Sequence, residues 1–195
     1  MLSTELNNDN GNDRINNDDF NQINLIRILY ASQTGQAESI SQIIFDQLYD
    51  AIVQCNNGQD FNIENYIKRF CISDYNDDKL ITDFWKANNN TTTAKSSDSD
   101  CHSNRKNLLI IIASTTGQGD PPDKATKFYR WLRRLKREKL QTEFKHLQYA
   151  LLGLGDTNYD NFANFSKQLN KLFNELGAIP FIEPGLFVYI IEFFF

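Results

Sequence analysis

Three short stretches gather glycine, hydroxyl and amide residues directly behind apolar runs. The first, SQTGQA at residues 32–37, follows INLIRILY and precedes a helical pattern. Gly35 permits a tight turn, and Ser32 and Thr34 offer hydroxyl donors. The helix start behind them offers free N–H groups at its positive dipole end. That combination suits a phosphate, although the same residue types also make an ordinary N-cap turn. The second stretch, ASTTGQGDPP at 113–122, follows the apolar run NLLIII. Gly117 and Gly119 permit positive φ and close approach of backbone to a flat ligand, while Pro121 and Pro122 stiffen the exit into the next helix. The third, GLGDTNYDNF at 153–162, again places two glycines behind an apolar run and adds Tyr159. Such a tyrosine can stack on a planar ring or simply pack at the surface. Taken together, a hydroxyl-rich phosphate loop and two glycine loops around an aromatic suggest a mononucleotide with a flat, reactive head. No G-x-x-x-x-G-K-[ST] occurs, and no G-x-G-x-x-G opens a helix, so P-loop and dinucleotide fingerprints are both absent.

The elements that must position these loops alternate along the chain. INLIRILY at 23–30 predicts a buried strand, and NLLIIIAS at 107–114 is the strongest strand signal. YIKRFCIS at 66–73 and LQYALLGL at 147–154 predict two more strands, and IPFIEPG at 179–185 is a candidate fifth. Between them, Ile40, Ile43, Ile44, Leu48, Ala51 and Ile52 predict a helix with one buried face. Phe128, Leu132 and Leu135 do the same within 124–139, and residues 79–86 predict a short helix. Phe165, Leu169, Leu172, Phe173 and Leu176 stripe a last helix, with Gly177 as its stop. Strands alternating with helices predict an α/β fold, a doubly wound parallel sheet with crossover helices. In such a sheet, ligands bind beyond the carboxyl ends of the strands.

Composition narrows the class. A chain of 195 residues is long enough for one domain with a sizeable core. The net charge of −5 argues against a general nucleic-acid binder. Three cysteines without metal-ligand spacing, and only His102 and His146, do not support a zinc site and fit a reducing compartment. Residues 1–22 are rich in Asn and Asp and read as a disordered leader with no secretory signal. A second polar, low-complexity stretch at 87–105 reads as an insertion within a domain spanning 23–185. No apolar run is long enough to cross a bilayer.

In order and spacing, ILYASQTGQAESIS, STTGQGDPPD and YALLGLGDTNYDNF resemble the three flavin loops of the flavodoxin-like FMN domain of diflavin reductases. The resemblance runs from about Ile26 to Gly177. Within that group the loops look most like the NADPH-dependent diflavin oxidoreductases of cytosolic iron–sulfur assembly, with methionine synthase reductases second. The resemblance implies a sheet of order 2-1-3-4-5, with the fifth strand and last helix incomplete or missing. It implies that Ser32, Gln33, Thr34, Gly35, Gln36 and Ala37 hold the FMN phosphate. Ser114, Thr115, Thr116 and Gly117 would border one side of the isoalloxazine. Leu154, Gly155, Asp156, Thr157, Asn158, Tyr159, Asp160, Asn161, Phe162 and Ala163 would border the other, with Tyr159 stacking. The Gly117 peptide would reorient toward flavin N5 on reduction, and negative charge at Asp156 and Asp160 would disfavour the anionic reduced flavin. The implied activity is a cytoplasmic electron relay from NADPH through FAD to FMN, and then to a partner. In the iron–sulfur branch that partner is the iron–sulfur protein anamorsin. No catalytic acid, nucleophile or metal is implied; FAD and NADPH belong to modules of full-length relatives. Gln36 stands where the family usually has Thr, and Thr116 stands where P450 reductases place an aromatic. Both departures predict weaker binding without loss of the site.

Two features fall outside that pattern. GLFVYIIEFFF at 185–195 reads either as a sheet-closing strand or as the anomalous tail of a truncated gene, and 186–195 are set apart on that ground. A flavin-free remnant kept for partner docking is the alternative function it raises. The helix at 124–139 is crowded with lysine and arginine, which reads first as a solvated outer face and second as a docking surface for an acidic partner or a reductase module.

Overall fold

The computed structural model describes residues 23–55, 62–75, 106–138, 144–145, 147–155 and 161–182. The leader, the helix expected at 79–86, the polar insertion and the tail lie outside the described residues, as do Asp156, Thr157, Asn158, Tyr159 and Asp160. Strand β1 (Ile23–Ala31) leads through Ser32 to Gly35 into α1 (Gln36–Cys55). A short helix α2 (Ile63–Tyr66) runs directly into β2 (Ile67–Cys71). Then come β3 (Lys106–Ser114), a single 3-10 turn at Asp123–Ala125, and α3 (Thr126–Arg137). Strand β4 (Leu147–Leu154), α4 (Asn164–Glu175) and β5 (Ile179–Pro180) complete the described elements. The sheet has five strands in the order β2-β1-β3-β4-β5, and every pairing is parallel. The expected doubly wound α/β fold is therefore the one observed.

A parallel sheet between two helix layers buries both faces, which is why its strands read as nearly unbroken apolar runs. Along β3, Leu109, Ile111 and Ala113 face one side, where Phe128, Trp131 and Leu132 of α3 and Phe165, Leu169 and Phe173 of α4 cover them. Leu108 and Ile112 face the other side, with Ile26 and Ile28 of β1 and Ala37 and Ile52 of α1. Ile23 and Leu25 sit on opposite faces despite a spacing of two, because the β1–β3 register shifts between them. The one cation inside β1, Arg27, is buried; its guanidinium donates to the carbonyls of Ile26 at 3.0 Å, Tyr66 at 3.3 Å and Asn65 at 3.4 Å. It thereby ties the end of α2 to the sheet. Tyr149 of β4 is also buried, and its hydroxyl donates to Asn170 Oδ1 at 2.6 Å with the Asn174 amide 3.0 Å away. Burial pushes this phenol up to about 12, so it stays a neutral donor at ordinary pH.

The structure departs from the expected pattern at four places. Ile43 is 50% exposed, because at 100° per residue it lies across the helix from Ala37, Ser41, Leu48 and Ile52. Trp131, outside the expected stripe of Phe128, Leu132 and Leu135, is buried as well and packs edge-on to Phe144. The second strand is shorter than expected, since Tyr66 ends α2, whose start is capped by Asn62 accepting from the Asn65 N–H. Among the described residues the fifth strand comprises Ile179 and Pro180. Ile179 and Pro180 pair with Gln148 and Tyr149, the Phe181 N–H donates to Tyr149 O at 2.7 Å, and residues 183–185 of the expected stretch lie outside the described residues.

Candidate functional site at the carboxyl edge of the sheet

The strand order reverses between β1 and β3, so the chain leaves these neighbouring strands toward helices on opposite faces. This opens a crevice at their carboxyl ends, and the loops after β1, β3 and β4 meet at that edge.

The first loop is a turn held by its own serine. Ser32 is buried, and its Oγ accepts from the Gly35 N–H at 2.9 Å. Gly35 has φ +95, a conformation side chains resist, and a Cβ there would find nothing within 4 Å. The turn delivers the chain into α1, where Ser39 N–H closes the first helical bond onto Gly35 O at 2.9 Å. The N–H groups before it have no intrahelical acceptor. Gln33, Thr34 and Gln36 are exposed around this opening, and Ala37 is fully buried under it.

The second loop is a braced hairpin. Thr116 N–H donates to Asp120 O at 2.9 Å and Asp120 N–H to Thr116 O at 2.8 Å. Gly117 (φ +50) and Gly119 (φ +106) make the reversal possible. Thr116 Oγ1 also donates to Asp120 O at 3.1 Å. The hairpin is tied to both neighbouring strands: Ser114 Oγ donates to Ala31 O at 2.9 Å, and Thr115 N–H to Leu154 O at 2.9 Å. Ser114's hydroxyl is thus taken up in holding β3 to β1. Thr115 Oγ1, by contrast, is buried with no hydrogen-bond partner among the described residues. A buried hydroxyl without a partner is costly, and is relieved by a ligand that offers one.

The third loop returns against the second. Leu154 is buried and Gly155 follows it; a Cβ on Gly155 would stand 2.7 Å from Ala163 N and 3.1 Å from Phe162 Cδ2. Ala163 holds φ +50 to admit this approach. Asn161 Nδ2 donates to Gln118 O at 2.8 Å and Asn164 Nδ2 to Gly119 O at 3.1 Å. The described part of this loop therefore clamps the glycine turn of the second.

Of the sequence candidates, the residues from Ser32 to Ala37, from Ser114 to Gly117, and Leu154, Gly155, Asn161, Phe162 and Ala163 all lie at this edge, in its loops or at the strand and helix ends that flank them. Two residues that matter to it carried no signal in the sequence. Asn164 reads as an ordinary helix-start residue, and Ser166 as an ordinary helix position; only the fold puts the first on Gly119 and the second on Ala113 O, at 3.1 Å. A chain carrying both Asn161→Ala and Asn164→Ala should lose about 1–2 kcal/mol, since each removes one hydrogen bond to a backbone carbonyl. The readout is amide exchange at Asp120 together with the melting temperature. Unchanged values for both would show that the clamp does not hold the hairpin.

No helix among the described residues is long and apolar enough to cross a membrane, and no metal-binding group of His, Cys, Asp or Glu occurs among them.

Comparison with known proteins gives a consistent picture. A family model described as flavodoxin matches residues 78–187. Methionine synthase reductase of Homo sapiens is 35% identical over 159 residues, covering 81% of this chain and 18% of that protein. NADPH-dependent diflavin oxidoreductase 1 of Schizosaccharomyces pombe is 32% identical over 164 residues, covering 82% and 21%. The NADPH sulfite reductase flavoprotein alpha-component of Neisseria meningitidis serogroup C is 30% identical over 158 residues, covering 81% and 20%. The chain spans about a fifth of the length of these relatives. Among solved structures, the flavodoxin of Streptococcus pneumonia TIGR4 superposes with a TM-score of 0.52 at 22% identity, covering 80% of this chain and 79% of that one. A Pseudomonas aeruginosa flavodoxin gives a TM-score of 0.51 at 20% identity, with 80% and 79% covered.

Proposed function

The chain belongs to the flavodoxin family, whose cofactor is FMN, and we propose from that premise that it is the FMN electron-transfer module of an NADPH-dependent diflavin reductase. The observation that carries this reading is the meeting of three glycine-and-hydroxyl loops at the β1/β3 reversal, with Thr115 Oγ1 of the second loop buried and without a hydrogen-bond partner among the described residues. Flavodoxins are themselves a standard instance of ligand binding at this switch point.

The residues present fit the cofactor. The open space in front of Gly35, beside the first N–H groups of α1, suits a phosphate, with Thr34 as a hydroxyl donor. Ser32 contributes by shaping the turn. Thr115, Thr116 and Gly117 would border one side of the ring system, and Gly155, Asn161 and Phe162 the other. Gly117 is exposed and has no Cβ to oppose rotation of its peptide, so it can present either an N–H or a C=O to the ring edge. Bound FMN supplies the one- and two-electron chemistry. The chain's part is to hold it, exclude water from one edge and set the local electrostatics. Gln36 in place of a threonine leaves one hydroxyl fewer at the phosphate.

The electrons would originate on NADPH and arrive through FAD, both held by modules outside this chain. The finer reading is that the acceptor is an anamorsin-like iron–sulfur protein of cytosolic iron–sulfur assembly, supported by the resemblance of STTGQGDPPD and LGLGD to that branch. The methionine synthase reductase branch is the alternative, at comparable identity.

The test is direct. The purified chain, or the chain refolded with FMN, should show a bound-flavin spectrum at close to one flavin per chain. A folded chain that retains none would refute the reading and favour a flavin-free docking role.

A further inference from the structure

Helices α3 and α4 lie side by side on one face of the sheet, and an open groove of about 1210 Å³ runs between them. Seven lysine and arginine side chains line it, against a single carboxylate, Glu175. That carboxylate is already engaged by Lys136 at 2.7 Å. Lys127, Arg130 and Arg137 of α3 and Lys171 of α4 have no carboxylate partner among the described residues.

This is not the pattern of a helix that merely faces water. Solvated helix faces mix signs, because like charges one turn apart repel and opposite ones attract. Helix α3, TKFYRWLRRLKR, contains no acidic residue, although the chain has 25 of them and a net charge of −5. Its last-turn cations Arg134, Lys136 and Arg137 complement the helix dipole, but Lys127 and Arg130 sit near the end where the dipole opposes them. The positive charge is concentrated here against both the helix's own preference and the composition of the chain.

We propose that this groove is a docking surface for an extended, acidic segment of a partner protein. The spacing fits. Residues 127, 130, 134 and 137 fall within about 80° of arc and span about 15 Å along α3. An extended chain presents same-side carboxylates about 6.6 Å apart, so five or six residues of alternating acidic sequence lie along this stripe. Lys171 closes the groove from the α4 side, and the partly buried ring of Tyr129 and the buried ring of Trp131 give its floor apolar surface. Arg133, 5.7 Å over the Tyr129 ring, is already held in place at the rim. Charge of this kind governs encounter rate and choice of partner more than final affinity. Helix α3 begins after the second loop and the 3-10 turn at Asp123–Ala125, and Lys127 at its start is among the residues lining the groove, so a docked partner lies along the helix that leads away from that loop. The inference itself does not depend on flavin binding.

The experiment measures fluorescence anisotropy of a fluorescein-labelled decaglutamate peptide with the full chain. Saturable binding is expected at about 50 mM NaCl, weakening by about 200 mM as screening sets in. The double change Arg130→Glu and Arg134→Glu should weaken it by about tenfold or more, and Lys171→Glu severalfold, because each reversal replaces attraction with repulsion. Lys145→Glu, exposed but outside the groove, should bind like the parent. Circular dichroism confirms that each variant keeps its fold. The proposal is overturned by absence of saturable binding at about 50 mM NaCl, or by groove variants that lose no more than Lys145→Glu. Tighter binding of decauridylate than of decaglutamate would also overturn it, by assigning the groove to nucleic acid.

Discussion

A chain carrying Gly35→Val is expected to fold but to lose FMN. Gly35 sits at φ +95, a conformation that costs a β-branched residue about 1–3 kcal/mol. A Cβ there meets nothing within 4 Å, so that backbone strain is not compounded by a clash of the Cβ. The open space is what makes the substitution informative. In the chain without ligand the new Cβ meets nothing within 4 Å; in the complex the side chain would fill the volume proposed for the phosphate, in front of the first N–H groups of α1. Strain and steric exclusion then add. Dissociation constants should rise at least about a hundredfold, equivalent to about 2.7 kcal/mol. Gly35→Ala separates the two effects, because it carries the strain with little bulk and should fall between valine and the parent. Flavin titration of the three proteins, with melting curves alongside, makes the comparison. A valine variant that binds FMN like the parent would place the phosphate elsewhere.

The general plan of this site was legible in the sequence because it depends on local signals. Glycines behind apolar runs mark strand ends, and β4 runs from Leu147 to Leu154, the same residues its apolar run marks. Stripes such as Phe165, Leu169 and Phe173 mark a helix face without reference to anything distant. What could not be read was set by partners far along the chain. Ser114 looks like a ligand donor until the β1 neighbour shows its hydroxyl spent on Ala31 O. Thr115 looks equivalent to Ser114 and Thr116, yet it alone of the three has its hydroxyl buried without a partner. Ile43 looked core-facing by composition and lies outward by angle. Asn161 and Asn164 become a clamp only when the second and third loops are side by side.

The same kind of distant contact underlies the largest expected loss of stability. Gly153 of β4 pairs in register with Ala113 of β3, at the last turn before both loops leave the sheet. Helix α4 crosses directly over it: a Cβ on Gly153 would stand 2.6 Å from Ser166 Cβ and 2.7 Å from Ser166 Oγ. Neither atom can retreat, because Cβ is fixed by the helix backbone and Oγ donates to Ala113 O from a buried position. Gly153→Ala therefore forces α4 away from the sheet. Overpacking of this sort costs about 1–3 kcal/mol, partly offset by the entropy that alanine saves in the unfolded chain. For a chain of this length the melting temperature should drop by about 3–10 °C. FMN affinity should fall with it, since Ala163 stands at the start of that helix and Gly155 lies against it. The decisive variant is Ser166→Gly. Alone it is destabilising, because it deletes the bond to Ala113 O and places glycine inside a helix. Combined with Gly153→Ala it removes the atoms that the new methyl strikes, so the double variant should be more stable than the sum of the two losses by at least about 1 kcal/mol. Strictly additive losses would mean that α4 yields freely over the strand end, and that the three loops are not held in place by this contact.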